Sequence, residues 1–420
     1  MDLIAEAIKN NPWWIGKEIE KVKGLKKRFL TQEIVKYLDN PQIIAIIGLR
    51  RVGKTILMHH IIEGLLSKTD AKRILYFSFD EIMGKDPEII DKLLNVYENE
   101  ILKTELKETY VFLDEINNIP DWQVILKRYY DLDKKIKFVV SGSSSLFIKK
   151  TKESLAGRLF DFELTPLNFR EFLYLRGIEI KDINLQAGDI KKELSNYFVK
   201  GGFPELIWEE NFEKINKYIK SIIEKIILYD IPKIYKIEES ETLYEIFKTL
   251  ALKPGAIIEY QKIATAFKIT YQTASKYVSY LEKSFLIRLL YNYRGSPIAR
   301  ARKSKKIYLG THCLASAFLS NEAGIYSNIP FIVENIVAAN LDAKFFWRKY
   351  YEIDILHNNM PIEVKYQDNM PNISGAIKVT QELKSNKAII ITKDIEKREI
   401  KENIEIEYIP IWKWLLLESE

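Results

Sequence analysis

Gly48, Gly53, Lys54 and Thr55 stand in the order G-x-x-x-x-G-K-T within IIAIIGLRRVGKTILMHHII, residues 43 to 62. Two glycines at this spacing let the backbone curl so that successive N–H groups surround an anion, and a helix beginning at Lys54 adds the partial positive charge of its N-terminus. The Lys54 ammonium then reaches the β and γ phosphates of a nucleotide, and the Thr55 hydroxyl becomes a ligand for Mg²⁺. The whole turn, Gly48, Leu49, Arg50, Arg51, Val52, Gly53, Lys54, Thr55 and Ile56, is the expected lining of a nucleotide site. A basic turn without a ligand is the plainer reading, and it leaves Lys and Thr after the second glycine unexplained.

Hydrolysis needs two acids beside those phosphates, one to orient the metal and one to polarise water. ETYVFLDEINNI, residues 108 to 119, is an apolar run ending in Asp114-Glu115. Asp114 is the expected Mg²⁺ partner, directly or through water, and Glu115 the general base. KFVVSGSSSLF ends in Ser141-Gly142-Ser143-Ser144, where Ser141 can sense the γ-phosphate or the attacking water. Arg158, in ESLAGRLF, is the candidate for transition-state charge, supplied within the chain or to a neighbouring copy; a surface arginine is the alternative.

A second group of ionisable residues lies in the C-terminal third. Glu334 falls in the helical stretch FIVENIVAANL, Asp354 ends the strand-like YYEIDIL, and Glu363 and Lys365 alternate on MPIEVKY. Residues two apart on a strand share a face. With an Asp from the neighbouring strand they make a divalent-metal site beside an ammonium, a layout that orients water for phosphodiester attack. An exposed strand face with Glu–Lys pairs is the competing reading.

Between these groups, TLYEIFKTLAL (242 to 252), YQKIATAF (260 to 267) and YQTASKYVSYLEKS (271 to 284) have helical periodicity, with KIT as a tight turn before the third helix and FLIRLLYNYRG as wing strands. A short helix, a tight turn and a helix with polar residues near its start suit the major groove of DNA. Gln272, Thr273, Ser275 and Lys276 would face bases or phosphates. Arg294, Arg300, Arg302, Lys303, Lys305 and Lys306 cluster behind the wing, where backbone contacts add salt-dependent affinity. Protein-contact modules and ATPase lids share the same pattern.

The elements that must position these groups alternate. Strands IIAIIG, RILYFSF, TYVFLDE and IKFVVSG are separated by helical stretches, which is the signature of an α/β parallel sheet covered on both faces with its strand ends at one edge. Residues 163 to 235 read as helical with a Gly-Gly-Phe-Pro interruption at 201 to 204. After the basic IARARKSKK, the strand candidates are IYLG, EIDIL, MPIEVKY, KAIIIT and IEYIPI.

Composition narrows the classes. At 420 residues the chain exceeds a single core. A lone Cys313, and four histidines without a Cys/His pair at ligand spacing, exclude an internal disulfide and a zinc site. An acidic start and the lack of an apolar run of about 18 residues exclude a secretory signal and a membrane span, so a cytosolic protein is expected. A net charge of +6 is mild, and a polyanionic partner is argued from where charge sits. Abundant Lys and Glu lean toward a heat-adapted source.

GLRRVGKT, VFLDEI, VVSGSSS, LAGR followed by LTPLNFREF, and GGFPE occur in an order that resembles an archaeal and bacterial family of AAA-type P-loop ATPases. The resemblance, from about residue 25 onward, implies an ATPase domain over 1–162, a helical lid over 163–237, a winged helix over 238–300 and a restriction-endonuclease-like α/β domain over 301–420. It implies ATP as the nucleotide, Gly157-Arg158 as the arginine step near the γ-phosphate, and homo-oligomers completed by a neighbour's arginine. Asp354, Glu363 and Lys365, with Glu334 as the extra helix acid, resemble the D…(D/E)xK core of restriction-endonuclease-like nucleases. The expected protein is an ATPase that acts on or is regulated by duplex or branched DNA. The rivals are a nucleotide-gated switch that binds proteins and an ATP-regulated, metal-dependent nuclease.

Overall fold

Five aliphatic residues in a row, Ile43–Ile47 (β1), are all buried, as happens in a sheet covered on both faces. In the computed structural model, which describes residues 3–80, 86–132, 135–143, 154–237, 239–293 and 304–417, β1 is joined by Ile74–Ser78 (β2), Thr109–Asp114 (β3), Ile136–Gly142 (β4) and Leu159–Glu163 (β5). Among the described residues these make a parallel sheet in the order β2-β3-β4-β1-β5. Parallel neighbours need crossovers, and the helices Lys54–Leu66, Ile89–Val96 and Trp122–Asp131 lie in those connections. Because β4 sits between β1 and β3, the turn after β1, the Ser141-Gly142 end of β4 and the Asp114-Glu115 end of β3 share one edge. That edge is where ligands bind in open α/β sheets.

Two features of this first unit, Met1–Thr165, depart from the sequence reading. β5 was not expected, because LFDFE alternates weakly and only its Phe162 is buried. The NPWW segment closes the exposed edge of β2: Asn11 exchanges two hydrogen bonds with the Tyr76 backbone, at 2.8 and 2.6 Å, and both Trp13 and Trp14 donate to the Ile74 carbonyl. An unpaired strand edge is thereby covered.

The second unit, Pro166–Glu420, begins with helices that include Ala187–Lys200 and Phe212–Glu224. Its sheet, among the described residues, has eight strands: Ile287–Asn292 (β6), Lys305–Leu309 (β7), Phe345–Arg348 (β8), Glu352–His357 (β9), Met360–Lys365 (β10), Lys387–Thr392 (β11), Lys397–Lys401 (β12) and Ile404–Pro410 (β13). They run in the order β12-β13-β11-β10-β9-β8-β6-β7. The three expected helices are present as Ser240–Ala251, Tyr260–Ala266 and Tyr271–Lys283. Of the expected wing, the described residues 285–293 supply one strand, β6, which pairs antiparallel with β7 and parallel with β8 and so belongs to the large sheet. Its apolar alternation is satisfied by that sheet's core. Among the described residues no helix is long and apolar enough to cross a membrane.

The Gly-Gly-Phe-Pro interruption has a packing cause. A Cβ on Gly201 would lie 2.1 Å from the Tyr197 ring, and one on Gly202, whose φ is 110°, would lie 2.3 Å from Thr311 Oγ1. The Gly202 carbonyl accepts from the Leu167 N–H at 2.9 Å, and the Tyr197 carbonyl is bonded by His312 Nε2 at 2.7 Å. Gly202→Ala combines a left-handed backbone with overpacking, so it should destabilise the second unit by about 2 to 4 kcal/mol. A shifted urea midpoint in the transition reported by second-unit probes checks this, and an unchanged midpoint would show that the contact can relax.

Candidate functional site

The turn after β1 is shaped by residues that a side chain or an ordinary φ would disturb. Gly48 has φ 153° and a Cβ there would meet the Leu164 carbonyl oxygen at 2.3 Å; Arg51 and Gly53 adopt φ of 67° and 100°. Buried Arg28 fixes the turn from below, donating to the Val52 carbonyl at 2.6 Å and to the Thr165 carbonyl at 2.9 Å. Lys54 begins its helix with its ammonium buried over the turn, donating to the carbonyls of Gly48 and Leu49 at 3.1 Å each. Leu49 and Val52 are buried, Ile56 is half-buried, and Arg50 lies 3.6 Å from Asp80 Oδ1.

Asp114 is 2% exposed at the end of β3. Its Oδ2 accepts from the Thr55 hydroxyl at 2.6 Å and from the Tyr76 hydroxyl at 2.9 Å, and its Oδ1 accepts from the Ser141 hydroxyl. Three neutral donors from three elements hold one carboxylate. Glu115 follows in a left-handed conformation, φ 50°, which turns its side chain toward Lys54, 3.9 Å away. Burial pushes its carboxyl above the usual glutamate range, and Lys54 opposes that shift. The Glu115 N–H donates to Ser141 Oγ at 3.0 Å. Lys54, Thr55, Asp114, Glu115 and Ser141 are thus brought together; Ser144 lies outside the described residues.

Arg158 is not brought there. It precedes β5, which runs parallel to β1 with Leu159 opposite Ile43, and the Arg158 carbonyl accepts from the Ile43 N–H. It therefore stands at the amino end of the strands, opposite the phosphate turn and the length of β1 away, on the order of 15 Å. Its guanidinium pairs with Asp131 at 2.9 Å and covers the Tyr130 ring. A role near the γ-phosphate of its own chain is thereby corrected.

Sequence reasoning also missed Tyr76, whose alternation in a buried strand reads as core. Its ring lies 4.3 Å from that of His59, and burial raises its phenol. His59 is pushed down to about 4 by burial and is held through Nδ1 by the Thr55 carbonyl at 2.7 Å. A neutral imidazole thus braces the residue that carries the Thr55 hydroxyl. Arg28 was missed as well, because nothing in the sequence ties it to Val52.

In the second unit the predicted acids also converge, around a residue that the sequence reading assigned to a basic linker. Lys306 is 2% exposed, and its ammonium lies 3.3 Å from Glu334 Oε1, 2.9 Å from Glu352 Oε1 and 3.1 Å from Asp354 Oδ1. Tyr308 donates to Glu334 Oε1 at 2.5 Å, and Asn335 exchanges hydrogen bonds with the Leu309 backbone, fixing the helix Ile329–Asn340 on β7. Asp354 Oδ2 accepts from the Val364 N–H at 3.0 Å, and Glu363 pairs with Lys365 at 2.6 Å. Burial and the nearby Asp354 push Glu334 and Glu363 up to about 7. Among the described residues no three His, Cys, Asp or Glu side chains are arranged to hold a metal ion. Of the acids expected to hold a divalent metal, Glu334 and Asp354 share Lys306, whereas Glu363 pairs with Lys365.

On the helix Tyr271–Lys283, Gln272 and Lys276 are exposed, while Thr273 and Ser275 are half-buried. Thr273 is engaged with the capping residue Thr270, whose Oγ1 accepts from its N–H at 3.1 Å. Of the basic cluster, Lys305 lies over the Tyr260 and Tyr291 rings and Lys306 is interior. Arg294, Arg300, Arg302 and Lys303 lie outside the described residues.

Residues 40–173 match the family model of an AAA domain, and residues 191–324 match that of a domain of unknown function, DUF8612. The uncharacterized protein MJ1544 of Methanocaldococcus jannaschii is 30% identical over 422 residues, covering 93% of this chain and 92% of that protein. A second protein of that organism, MJ1637, is 29% identical over 338 residues, or 73% and 69% of the two chains. Among solved structures, the Aeropyrum pernix ORC1 protein in complex with DNA aligns with 72% of this chain and 92% of its own at 13% identity. Its TM-score of 0.34 is too loose a superposition to bear on function.

Two outcomes follow from the geometry. Tyr76→Phe removes one of three donors to a buried carboxylate, a bond worth about 1.5 to 3 kcal/mol, and first-unit unfolding in urea should shift by that amount. An unmoved midpoint would mean that the hydroxyl does not serve Asp114. Glu334 keeps its proton in the folded chain up to about pH 7 but loses it near the ordinary glutamate value when unfolded. Its contribution to second-unit stability is therefore full below that value and lost as pH rises to about 7. Glu334→Gln should flatten the fall in unfolding midpoint between pH 5 and 8, and an unaltered slope would contradict the raised carboxyl.

Proposed function

We propose, for a chain that belongs to the same family as the Methanocaldococcus jannaschii protein MJ1544 and carries a P-loop AAA-type ATPase domain, that it binds ATP·Mg²⁺ and hydrolyses it at the shared edge of β1, β4 and β3. The observation that carries the reading is the meeting of Lys54, Thr55, Asp114, Glu115 and Ser141 at that edge. The positive φ angles of Gly48, Arg51 and Gly53 curl the backbone as a phosphate cradle requires. Residues 48 to 56 would hold the phosphates, Thr55 and Asp114 the Mg²⁺. When bound, Mg²⁺ neutralises charge that develops on the β and γ oxygens.

Within this reading Lys54 leaves the Gly48 and Leu49 carbonyls for the phosphates, and Glu115 accepts the proton of the attacking water. Burial raises the Glu115 carboxyl, which favours proton acceptance. Ser141 keeps both acids in register through its two hydrogen bonds. Arg158, on the opposite edge and a third exposed, would serve a neighbouring copy in a homo-oligomer. The proposed organisation is an ATPase domain over 1–162, a lid over 163–237, a winged helix over 238–300 and a restriction-endonuclease-like domain over 301–420, with β6 built into the last sheet.

DNA is the proposed partner of the second unit. The support is a short helix, Tyr260–Ala266, and a turn leading into the helix Tyr271–Lys283, which presents Gln272 and Lys276 to solvent.

Lys54→Ala should abolish ATP binding, and Glu115→Gln should keep binding while turnover falls at least 100-fold. Equal loss of both in Glu115→Gln would remove its role as base. Duplex DNA should bind at low salt, stimulate turnover and lose affinity as salt rises. Neither binding nor stimulation at low salt would remove the DNA half of the proposal and favour a protein partner, leaving the ATPase half standing.

A further inference from the structure

We propose that Lys306 is the resident cation of the C-terminal carboxylate cluster. It pairs with Asp354 and Glu334, two of the acids that the resemblance to a D…ExK core assigns to a divalent metal, so the second unit takes up no such metal there and does not cut nucleic acid. This goes beyond the ATPase reading and does not depend on it.

An ammonium has three N–H donors and no acceptor. Around Lys306 three carboxylates stand within ion-pair distance, and they come from two elements: Glu334 from the helix Ile329–Asn340, and Glu352 and Asp354 from one face of β9. The oxygens lie 2.9 to 3.3 Å from the nitrogen. Mg²⁺ demands oxygens at about 2.0 to 2.1 Å in near-octahedral array, so a metal sharing these ligands would crowd a second cation of the same sign.

Lys306 has little room to withdraw. It lies opposite Leu290 in the β6–β7 ladder, its ammonium is 5.7 Å from the centre of the Phe346 ring, and the Gly255 turn closes over Glu334. That turn is tied to the same strand, since the Gly255 N–H donates to the Ile307 carbonyl at 2.7 Å. The lysine of the ExK pattern is committed too, because Lys365 pairs with Glu363 rather than standing free to orient water. The chain's own ammoniums thus pair with all four acids of the cluster, which joins β7, β9 and the helix Ile329–Asn340 into one frame.

Mn²⁺ uptake by the nucleotide-free full chain, read from the free-ion signal in electron paramagnetic resonance, tests the assignment. Wild type and Asp354→Asn should take up the same amount, and neither should nick supercoiled plasmid in Mn²⁺. Lys306→Met should gain about one bound Mn²⁺ per chain, lost again in Lys306→Met/Asp354→Asn. If Lys306→Met is unfolded alone, Mn²⁺ should raise its melting midpoint and leave that of wild type in place. Wild-type uptake or nicking that disappears in Asp354→Asn overturns the proposal, and so does a folded Lys306→Met that gains no Mn²⁺. Loss of ATP turnover or of DNA binding alters none of these readouts, so failure here is distinct from failure of the proposed function.

Discussion

The first unit depends on how one buried charge is kept. A carboxylate removed from water without partners costs several kcal/mol, and Asp114 is almost wholly enclosed. The chain answers with hydroxyls alone. Tyr76 comes from β2 on one side of β3, Ser141 from β4 on the other, and Thr55 from the helix after the phosphate turn. These donors stabilise the charge without cancelling it, so the negative charge stays available to a cation entering from the strand ends. The same bonds discriminate register: a one-residue slip of β3 would turn Asp114 to the opposite face and leave the hydroxyls unmatched. Sheet order, phosphate turn and acidic edge are in this sense one construction.

How much of this was legible follows from which interactions are local. The phosphate turn, the acidic end of β3 and the polar end of β4 are short patterns attached to apolar strands, and each is found where its strand ends. Arg158 was set near the γ-phosphate by the family resemblance of its Gly-Arg step, while its position in this chain is fixed by the strand that follows it. Residues before a parallel strand lie at the opposite edge from residues after one, so recognising LFDFE as β5 would have placed Arg158 correctly. Tyr76 had no comparable signal. A tyrosine in ILYFS reads as core, and only the pairing of Ser78 with Asp114 brings its strand beside β3.

The second unit hid more because its decisive contacts are long-range. FLIRLLYNYRG has the alternation of a wing, and its partners lie beyond residue 300, in β7 and β8. Lys305 and Lys306 looked like one basic run. Alternation along β7 parts them, one over the Tyr260 and Tyr291 rings and the other in the interior. KKIYL is buried on both faces from Ile307 onward, so period-two alternation separates the two lysines without saying which of them is interior.

The two acidic centres consequently differ in kind, although both are carboxylates at strand ends or beside strands. At Asp114 the hydrogen-bond partners are the neutral hydroxyls of Thr55, Tyr76 and Ser141. In the second unit Glu334, Glu352 and Asp354 surround Lys306 and Glu363 pairs with Lys365, and Glu334 and Glu363 keep their protons up to about pH 7. Much of the negative charge there is cancelled from within the chain, and a divalent ion would have to displace an enclosed lysine to enter. On the proposed reading, metal-dependent chemistry belongs to the first unit, while the second carries a charged frame that ties β7, β9 and the helix Ile329–Asn340 together.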